Sequence, residues 1–313
     1  MSIPAKDNQT GARKRRTLAL KWHLMLLVVG VLLPIVAFAL YATYRISADE
    51  RSANERQLVS TARGLNDTLD REFTGTIRAL QGLAASDRID ADDLGGFYDE
   101  ARRVLATQPT WLTVILVSPD ARQLFNTIRP FGSEPVPINE KESFQKILDV
   151  RQPVIGNIVR GDGDTLAFPV RVPVERAGQL RYVLTAVITA GTLNDLVHQQ
   201  SGSQSEWTRT VVDARGTVAA RTRDPERFVG GPATESFVRR TSAAQEGVYR
   251  DRSLENKEVY FAFTRSLSNG WVTAVVVTVE TICSALRPGA SIISTGTTTA
   301  ETQPLESERV NAK

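Results

Sequence analysis

The sequence has one cysteine, Cys283, and two histidines, His23 and His198, among its 313 residues. A single cysteine excludes an intrachain disulfide, so an oxidising compartment would have to be tolerated without cross-links. Two imidazoles and one thiol are too few for most zinc sites and for cysteine–histidine catalysis. We therefore expect no metal site, no cofactor and no catalytic residues, and the chain as it stands is not expected to be an enzyme.

Charged residues are absent from a stretch of 23 residues, from Trp22 to Tyr44. A helix of this length reaches roughly 34 Å, enough to cross a hydrocarbon core about 30 Å thick. Only a helix satisfies its own backbone hydrogen bonds in lipid, and a proline such as Pro34 is tolerated in the middle of one. The stretch predicts a transmembrane helix over residues 22–44.

The charges that precede this stretch predict its orientation. Six cations stand before it against one acid, Asp7, and they are Lys6, Arg13, Lys14, Arg15, Arg16 and Lys21. By the positive-inside rule, residues 1–21 form a basic cytoplasmic arm and the chain from residue 45 onward lies outside. The alternative is a cleaved signal peptide, because Ala37-Phe38-Ala39 has the small-x-small form of a cleavage site. The apolar run continues past that tripeptide to Ala42, which favours an uncleaved anchor.

Beyond the span, the sequence lacks an excess of positive charge. Residues 45–280 contain 29 Lys and Arg against 31 Asp and Glu, so the net charge of +3 comes from the N-terminal arm. A domain that binds nucleic acid usually carries a basic patch or stripe. Binding of nucleic acid is therefore not expected.

A long helix is predicted next, over residues 46–86. Its apolar positions recur every three or four residues without an intervening proline, and they are Leu58, Ala62, Leu65, Leu69, Phe73, Ile77, Leu80 and Ala84. Such a helix either covers a sheet or pairs with a second copy of itself in a homodimer, and both are compatible along its length. A second helix is predicted over residues 93–106, since Asp92 and Asp93 suit its first turn.

The apolar pattern then changes to short runs rich in β-branched residues, separated by turn signals such as Ser118-Pro119-Asp120. These runs predict strands over residues 111–117, 123–127, 154–159, 166–174 and 181–188. The intervening segments are predicted as a loop over 129–140, a helix over 143–149, a closing helix over 193–200 and a linker over 201–205.

Three landmarks of this unit recur in the same order further along the chain. Asp120-Ala121-Arg122 recurs as Asp213-Ala214-Arg215, Ala167-Phe168 recurs as Ala262-Phe263, and Leu184-Thr185-Ala186-Val187 recurs as Val272-Thr273-Ala274-Val275. The offsets of 93, 95 and 88 residues are similar, which favours a tandem repeat over coincidence among Val- and Ala-rich strands. The predicted fold class is α+β, with two tandem modules that each contain an antiparallel sheet.

Five segments carry a family resemblance: RRVLATQP at 102–109, LAFPVRVPV at 166–174, RYVLTAV at 181–187, ARTRDPERFVG at 220–230 and GW at 270–271. With the basic arm, the apolar span and the long helix, they resemble the double Cache domain. This is a PAS-like extracellular sensor domain of bacterial histidine kinases, chemoreceptors and diguanylate cyclases. The likeness is greatest to the sensory part of histidine kinases and covers about residues 20–280.

The resemblance implies a division of the chain into five parts. They are a basic cytoplasmic arm (1–21), a transmembrane helix (22–44), the long helix with a membrane-distal module (45–200), a membrane-proximal module (201–280) and a disordered polar tail (281–313). It also implies a location in the bacterial inner membrane, with the sensor domain in the periplasm or outside the cell, and a small-molecule ligand.

Receptors of this family continue from the last strand into a second membrane helix and an output domain, whereas residues 281–313 are polar and rich in Ser and Thr. His198 is followed by Gln199 rather than by the acid that usually follows a kinase phosphoacceptor histidine. The expected function is therefore the sensor domain of a two-component-type receptor without its kinase core. The alternatives are a stand-alone anchored ligand-binding protein, and the sensor fragment of a chemoreceptor or diguanylate cyclase.

Strand alternation over residues 166–174 places Phe168, Val170 and Val172 on one face and Arg171 on the other. An arginine in such a strand must face water or an acidic partner, because burying it alone is costly. It is either a surface residue or an anion-binding residue, since a guanidinium holds a carboxylate through two parallel hydrogen bonds.

The module type brings Asn126, Arg129 and Thr185 near Arg171, under a roof formed by the loop 129–140 and the helix 143–149. These four residues are the predicted ligand contacts, and the two cations among them suggest a carboxylate as one ligand class. In the amino-acid-binding branch of the family, an Arg-x-Trp-aromatic pattern is followed later by an Asp. Here Pro130 and Phe131 follow Arg129, and Thr189 stands in place of that Asp, so amino acids are not favoured.

Overall fold

The computed structural model describes residues 12–200 and 206–279. The helices are α1 (Ala12–Ala84), α2 (Asp87–Asp90), α3 (Leu94–Leu105), α4 (Lys141–Val150), α5 (Ala190–Gln199), α6 (Pro225–Phe228) and α7 (Glu235–Ala243). The strands are β1 (Trp111–Val117), β2 (Gln123–Asn126), β3 (Val154–Ile155), β4 (Val159–Arg160), β5 (Leu166–Arg176), β6 (Gln179–Thr189), β7 (Thr208–Val212), β8 (Val218–Arg221), β9 (Glu246–Arg252), β10 (Glu258–Arg265) and β11 (Val272–Thr278). The first half of the expected basic arm, the linker 201–205 and the polar tail lie outside the described residues.

The N-terminal helix α1 runs without a break through the uncharged stretch, and the apolar side chains described there, such as Leu26 and Phe38, are exposed. Within residues 12–200 and 206–279, no helix combines the length and the hydropathy that a membrane crossing requires.

The second half of α1 covers two β-sheets, the first formed by β1–β6 and the second by β7–β11. The spacing of its apolar residues predicts this packing. Of the eight predicted apolar positions, seven are buried: Leu58, Ala62, Leu65, Leu69, Phe73, Leu80 and Ala84. Leu58 and Ala62 pack on the second sheet, while Leu80 and Ala84 belong to the core of the first. The sheet-covering interpretation is confirmed, and pairing with a second copy stays a prediction.

The two sheets are antiparallel and share the same strand order. The first sheet has the order β2-β1-β6-β5-β3, with β4 also paired to β5, and the second has the order β8-β7-β11-β10-β9. Each strand of the second sheet therefore has a counterpart in the first, for example β7 with β1 and β11 with β6, and β4 is an addition to the first sheet. An α+β fold with two antiparallel sheets is confirmed.

The strand order repeats between the two sheets, but the sequence matches do not all align structurally equivalent residues. Phe168 on β5 faces α1 and contacts Phe73, whereas Phe263 on β10 contacts Tyr249 and belongs to the apolar cluster on the face that α1 does not cover. The counterpart of Phe168 by orientation is Ala262, which packs with Leu58 of α1. The Ala-Phe match is thus displaced by one residue, and because side chains alternate along a strand, this displacement reverses the face.

The strand predicted over residues 154–159 is divided into β3 and β4. The N–H of Gly156 still donates to the carbonyl of Pro169 on β5, at 2.8 Å. The N–H of Ile158 instead donates to the carboxylate of Asp213, at 3.0 Å, in the turn between β7 and β8. This contact draws the chain out of the first sheet towards the second half of the protein.

Candidate ligand-binding pocket

A cavity of about 150 Å³ lies on the face of the first sheet that α1 does not cover. Its floor is formed by β1, β2, β5 and β6, and residues 136–140 close over it. The apolar side chains that line it include Leu112, Ile115, Val117, Ile128, Val136, Pro137, Ile138, Val159, Ala167, Pro169 and Val187. The predicted loop therefore does roof a cavity, while α4 packs beside it through Phe144 and Ile147.

Arg171 lies at the bottom of this cavity, on the face of β5 that strand alternation predicts. Only 3% of the residue is exposed, so the surface alternative is wrong. The Nε–H donates to Ser143 Oγ at 2.8 Å, Nη1 donates to Thr185 Oγ1 at 3.0 Å, and Nη2 donates to the carbonyl oxygen of Glu140 at 2.9 Å. The guanidinium also lies 5.6 Å from the ring centre of Phe144.

Glu140 supplies the charge that this buried arginine needs. Its carboxylate lies 3.8 Å from Arg171 Nη2, and both side chains are almost completely buried. Burial lowers the pKa of the Arg171 guanidinium to about 10, and the Glu140 carboxylate partly opposes that shift. Arg171 is therefore charged at neutral pH and forms a buried ion pair with Glu140.

The position of Glu140 is fixed by the helix that follows it. Glu140 is the N-cap of α4, and both of its carboxylate oxygens accept the N–H of Ser143 at 3.1 Å. An acid at this position also interacts favourably with the helix dipole. The hydroxyl of Ser143 donates to the same carboxylate, and its oxygen accepts from Arg171. Ser143 thus connects the two charged groups.

Two further predicted residues line the same cavity. Thr185 lies on β6 directly opposite Arg171 in the sheet register and accepts its hydrogen bond. Asn126 is the last residue of β2, and its Oδ1 accepts from Thr113 Oγ1 at 2.5 Å and from the N–H of Ile128 at 3.2 Å. The structure therefore brings together three of the four predicted contacts.

Arg129 is the exception. Strand β2 ends at Asn126, and the N–H of Arg129 returns to the carbonyl of that residue at 2.9 Å in a turn. The carbonyl of Arg129 accepts from the hydroxyl of Tyr98 at 2.7 Å, on the side of α3. Arg129 does not line the cavity, so one of the two cations that suggested a carboxylate ligand is not part of this site.

Three further polar residues line the cavity and were not predicted from the sequence: Glu140, Gln123 and Asn139. A signal for Glu140 was present, because a buried arginine requires an acidic partner and Glu140 is an acid shortly before the predicted helix 143–149. The two amides carry no comparable signal. They reach the cavity only because β1 pairs with β2 and residues 136–140 fold back over the sheet.

The corresponding face of the second sheet is almost filled. Its hollow measures about 20 Å³. The rings of Phe237 on α7 and Phe261 on β10 occupy this space, with centres 5.7 Å apart. Arg221 closes one side through an ion pair with Glu255 and lies over the ring of Phe228. Of these two equivalent faces, only the one on the first sheet has room for a ligand.

Two other hollows in the described part of the chain are less suited to a ligand. One measures about 80 Å³ and is lined by three cations and three acids, among them Lys257 and Asp224. The other is a groove of about 530 Å³ that lies open along one face of α1. Among residues 12–200 and 206–279, His, Cys, Asp and Glu form no group of three that could bind a metal ion.

No family model matches the sequence, and no curated protein matches it. Solved structures do match. The ligand-binding domain of the Pseudomonas aeruginosa amino acid chemoreceptor PctB in complex with L-Arg has a TM-score of 0.59 at 13% identity, over 74% of this chain and 97% of that chain. The ligand-binding domain of the Pseudomonas fluorescens chemoreceptor CtaA in complex with L-isoleucine has a TM-score of 0.58 at 13% identity, over 75% and 97%.

A third match is the extracellular domain of a protein described as a histidine kinase, with a TM-score of 0.58 at 15% identity. It covers 76% of this chain and 99% of that chain. Similarity at this level of identity shows a shared fold, and it extends over nearly the whole of each matched domain. The chain has the Cache-like fold of the extracellular sensor domains of histidine kinases and chemoreceptors, which confirms the resemblance at the level of the fold.

Proposed function

We propose that this protein is the membrane-anchored, extracytoplasmic sensor of a two-component-type signalling receptor, and that it binds a small molecule in the cavity of its first sheet. The difference between the two equivalent faces carries the proposal, since the hollow measures about 150 Å³ on the first sheet and about 20 Å³ on the second. Pockets of this kind, largely apolar with a few convergent polar groups, are the usual sites of small ligands.

The shared fold supports this function. The matched structures are an extracellular domain and two ligand-binding domains, and both of the latter hold an amino acid. In this chain the cavity proposed for the ligand is lined by Asn126, Arg171 and Thr185, together with Glu140. A ligand that binds one arrangement of the two sheets better than another shifts the population towards that arrangement.

The anchor in this proposal is the uncharged stretch 22–44. It belongs to α1, whose second half packs on both sheets. By the positive-inside rule, the six cations before it support an orientation with the N-terminus in the cytoplasm and the sheets in the periplasm. Fusion of alkaline phosphatase after residue 280 tests the topology, because the enzyme is active only outside the cytoplasm. An active fusion is expected, and an inactive fusion with normal expression would contradict the orientation.

A thermal-shift screen tests the binding site. The purified full-length chain is heated with and without each member of a metabolite library. A ligand present at 100 times its dissociation constant stabilises the native state by ~2.7 kcal/mol, which for a protein of this size raises the melting temperature by about 5–10 °C.

The location of a hit is tested by filling the cavity. Ala167 lines it and is buried, so Ala167→Leu places three additional carbons where the ligand would lie. The matched control is Ala85→Leu, because Ala85 is exposed just beyond α1. We expect hits to be lost in the first variant and kept in the second. Hits that survive Ala167→Leu would place the ligand elsewhere and contradict the proposed site.

A further inference from the structure

The cavity contains two charged side chains of opposite sign, and they are paired with each other. Glu140 and Arg171 are the charged members of the lining, with 3.8 Å between Oε2 and Nη2. The lining therefore has no net formal charge. An anion is attracted by Arg171 and repelled by Glu140 over similar distances, and the reverse holds for a cation.

Both members of this pair already make hydrogen bonds within the protein. Each of the three guanidinium nitrogens of Arg171 donates to an oxygen of Ser143, Thr185 or Glu140. The carboxylate of Glu140 accepts from the backbone and the hydroxyl of Ser143. A charged ligand group would leave water without finding an unpaired opposite charge, and that exchange is unfavourable in a buried site.

The polar groups that remain open in the lining are uncharged: the hydroxyl of Thr165 and three side-chain amides. The amides are the side chains of Gln123 and Asn139 and the Nδ2 amino group of Asn126, whose Oδ1 is already occupied. None of these amino groups donates to another residue in the described part of the chain. A side-chain amide offers both donors and an acceptor, so its best partner offers both as well.

We propose that the sensor recognises an uncharged ligand, with an apolar body in the cavity and an amide-like group that exchanges hydrogen bonds with Gln123, Asn126 and Asn139. This inference rests on the proposed function, and it replaces the carboxylate that two cations had suggested. A protein cavity of about 150 Å³ can admit a molecule the size of benzene, which sets the scale of the apolar body.

Probes of matched shape test the ligand class directly. Benzamide is compared with benzoate, and isovaleramide with isovalerate, isopentylamine and L-leucine. Each probe is titrated into the full-length chain at neutral pH, and the shift in melting temperature gives the apparent affinity. Each amide is expected to bind at least about tenfold more tightly than its carboxylate, because only the carboxylate must lose the hydration of a charge.

A charge-neutralising variant tests the role of the ion pair. Glu140→Gln leaves Arg171 as an unbalanced cation in the lining, so the preference should reverse in favour of benzoate and isovalerate. Glu142→Gln removes the same charge two residues away, at an exposed position that does not line the cavity, and the preference should be unchanged. If Glu140→Gln does not fold, the comparison of amides with carboxylates in the native protein decides the question.

The outcomes separate this inference from the proposed function. Amide shifts that disappear in Ala167→Leu support both. Stronger shifts with benzoate, isopentylamine or L-leucine that also disappear in Ala167→Leu overturn the ligand class and leave the function intact. If neither amide shifts the melting temperature, the ligand class is overturned. The metabolite screen then tests the function separately.

Discussion

The ring of Phe168 in the first sheet lies 4.8 Å, centre to centre, from the ring of Trp271, the residue immediately before β11 of the second sheet. Phe73 of α1 completes the group, at 5.7 Å from Phe168 and 5.5 Å from Trp271. On β5, Phe168 stands between Ala167 and Pro169, whose side chains line the cavity on the opposite face. A ligand that displaced this strand would therefore change the packing of Phe168 against α1 and against the second sheet.

A double-mutant cycle measures the strength of this contact. Phe168→Leu and Trp271→Phe each weaken it, and we expect a coupling of about 0.5–1.5 kcal/mol in the free energy of unfolding. The buried indole N–H of Trp271 has no hydrogen-bond partner among the described residues, so its removal leaves no partner unsatisfied. Urea denaturation of the two single variants and the double variant provides the measurement.

The control cycle combines Phe168→Leu with Phe237→Leu, because Phe237 belongs to a separate apolar cluster in the second half of the protein. These two effects should add. Additivity of Phe168→Leu and Trp271→Phe as well would show that the aromatic contact does not couple the sheets.

Local patterns predicted much of this fold. Alternation along residues 166–174 assigned Arg171 to the correct face, and the spacing of apolar residues identified the part of α1 that covers the sheets. Both patterns depend only on the geometry of a single element, which is why they can be read from the sequence. The repeated Asp-Ala-Arg turn likewise marked the corresponding hairpins of the two sheets.

The pairing of elements was harder to predict. Glu140 lies 31 residues before Arg171, at the end of a loop without periodicity, and it reaches Arg171 only when α4 packs on the sheet. Arg129 was assigned to the pocket from the module type, but the chain turns after the end of β2 at Asn126 and leads Arg129 towards α3. The one-residue displacement of the Ala-Phe match shows the same weakness, because similar residues on both faces of a buried strand do not define its register.

The carboxylate of Asp70 on α1 fastens the loop between β10 and β11. It accepts from Ser266 Oγ at 2.9 Å, from Asn269 Nδ2 at 3.2 Å and from Asn66 Nδ2 at 3.0 Å. Hydrogen bonds to a charged group contribute about 1.5–3 kcal/mol, so Asp70→Ala should lower the free energy of unfolding by about that amount. Asp67→Ala is the control, since Asp67 is exposed one turn earlier, and it should change stability by less than about 0.5 kcal/mol. Equal losses in the two variants, measured in urea, would contradict this role.

Gly156 allows the wall of the cavity to close around the ion pair. A β-carbon at this position would lie 2.7 Å from Pro169 Cγ, 2.7 Å from Ser143 Oγ and 2.9 Å from Glu140 Oε2. Gly156→Ala should therefore lower the free energy of unfolding by about 1–3 kcal/mol through overpacking. It should also weaken the binding of any ligand that shifts the melting temperature of the native protein. Gly75→Ala is the opposite case, because a β-carbon there meets nothing within 4 Å on the helix surface. It should stabilise the protein by about 0.5–1 kcal/mol, and a gain at Gly156 would contradict the overpacking argument.

The turn between β7 and β8 joins the second half of the protein to the wall of the cavity in two ways. Arg215 forms an exposed ion pair with Glu142 at 2.5 Å and lies 3.9 Å from the carboxylate of Glu140. Asp213 is buried and accepts the N–H of Ile158 at 3.0 Å, in the segment between β3 and β4. The ion pair of Arg215 is exposed to solvent, whereas the hydrogen bond of Asp213 is buried. The two contacts should therefore contribute differently to the free energy of unfolding.

The buried contact is expected to dominate. Asp213→Ala leaves the N–H groups of Ile158, Arg215 and Thr217 without their acceptor, and we expect a loss of about 2–3 kcal/mol. Arg215→Gln removes the exposed pair with Glu142 and a longer contact with Glu140, which keeps Arg171 as its partner, so it should cost no more than about 1 kcal/mol. Amide hydrogen exchange distinguishes the two roles, because exchange at Ile158 should accelerate in Asp213→Ala and stay close to native in Arg215→Gln. Faster exchange at Ile158 in the Arg215 variant, with little change in the Asp213 variant, would show that the exposed ion pair holds the two halves together.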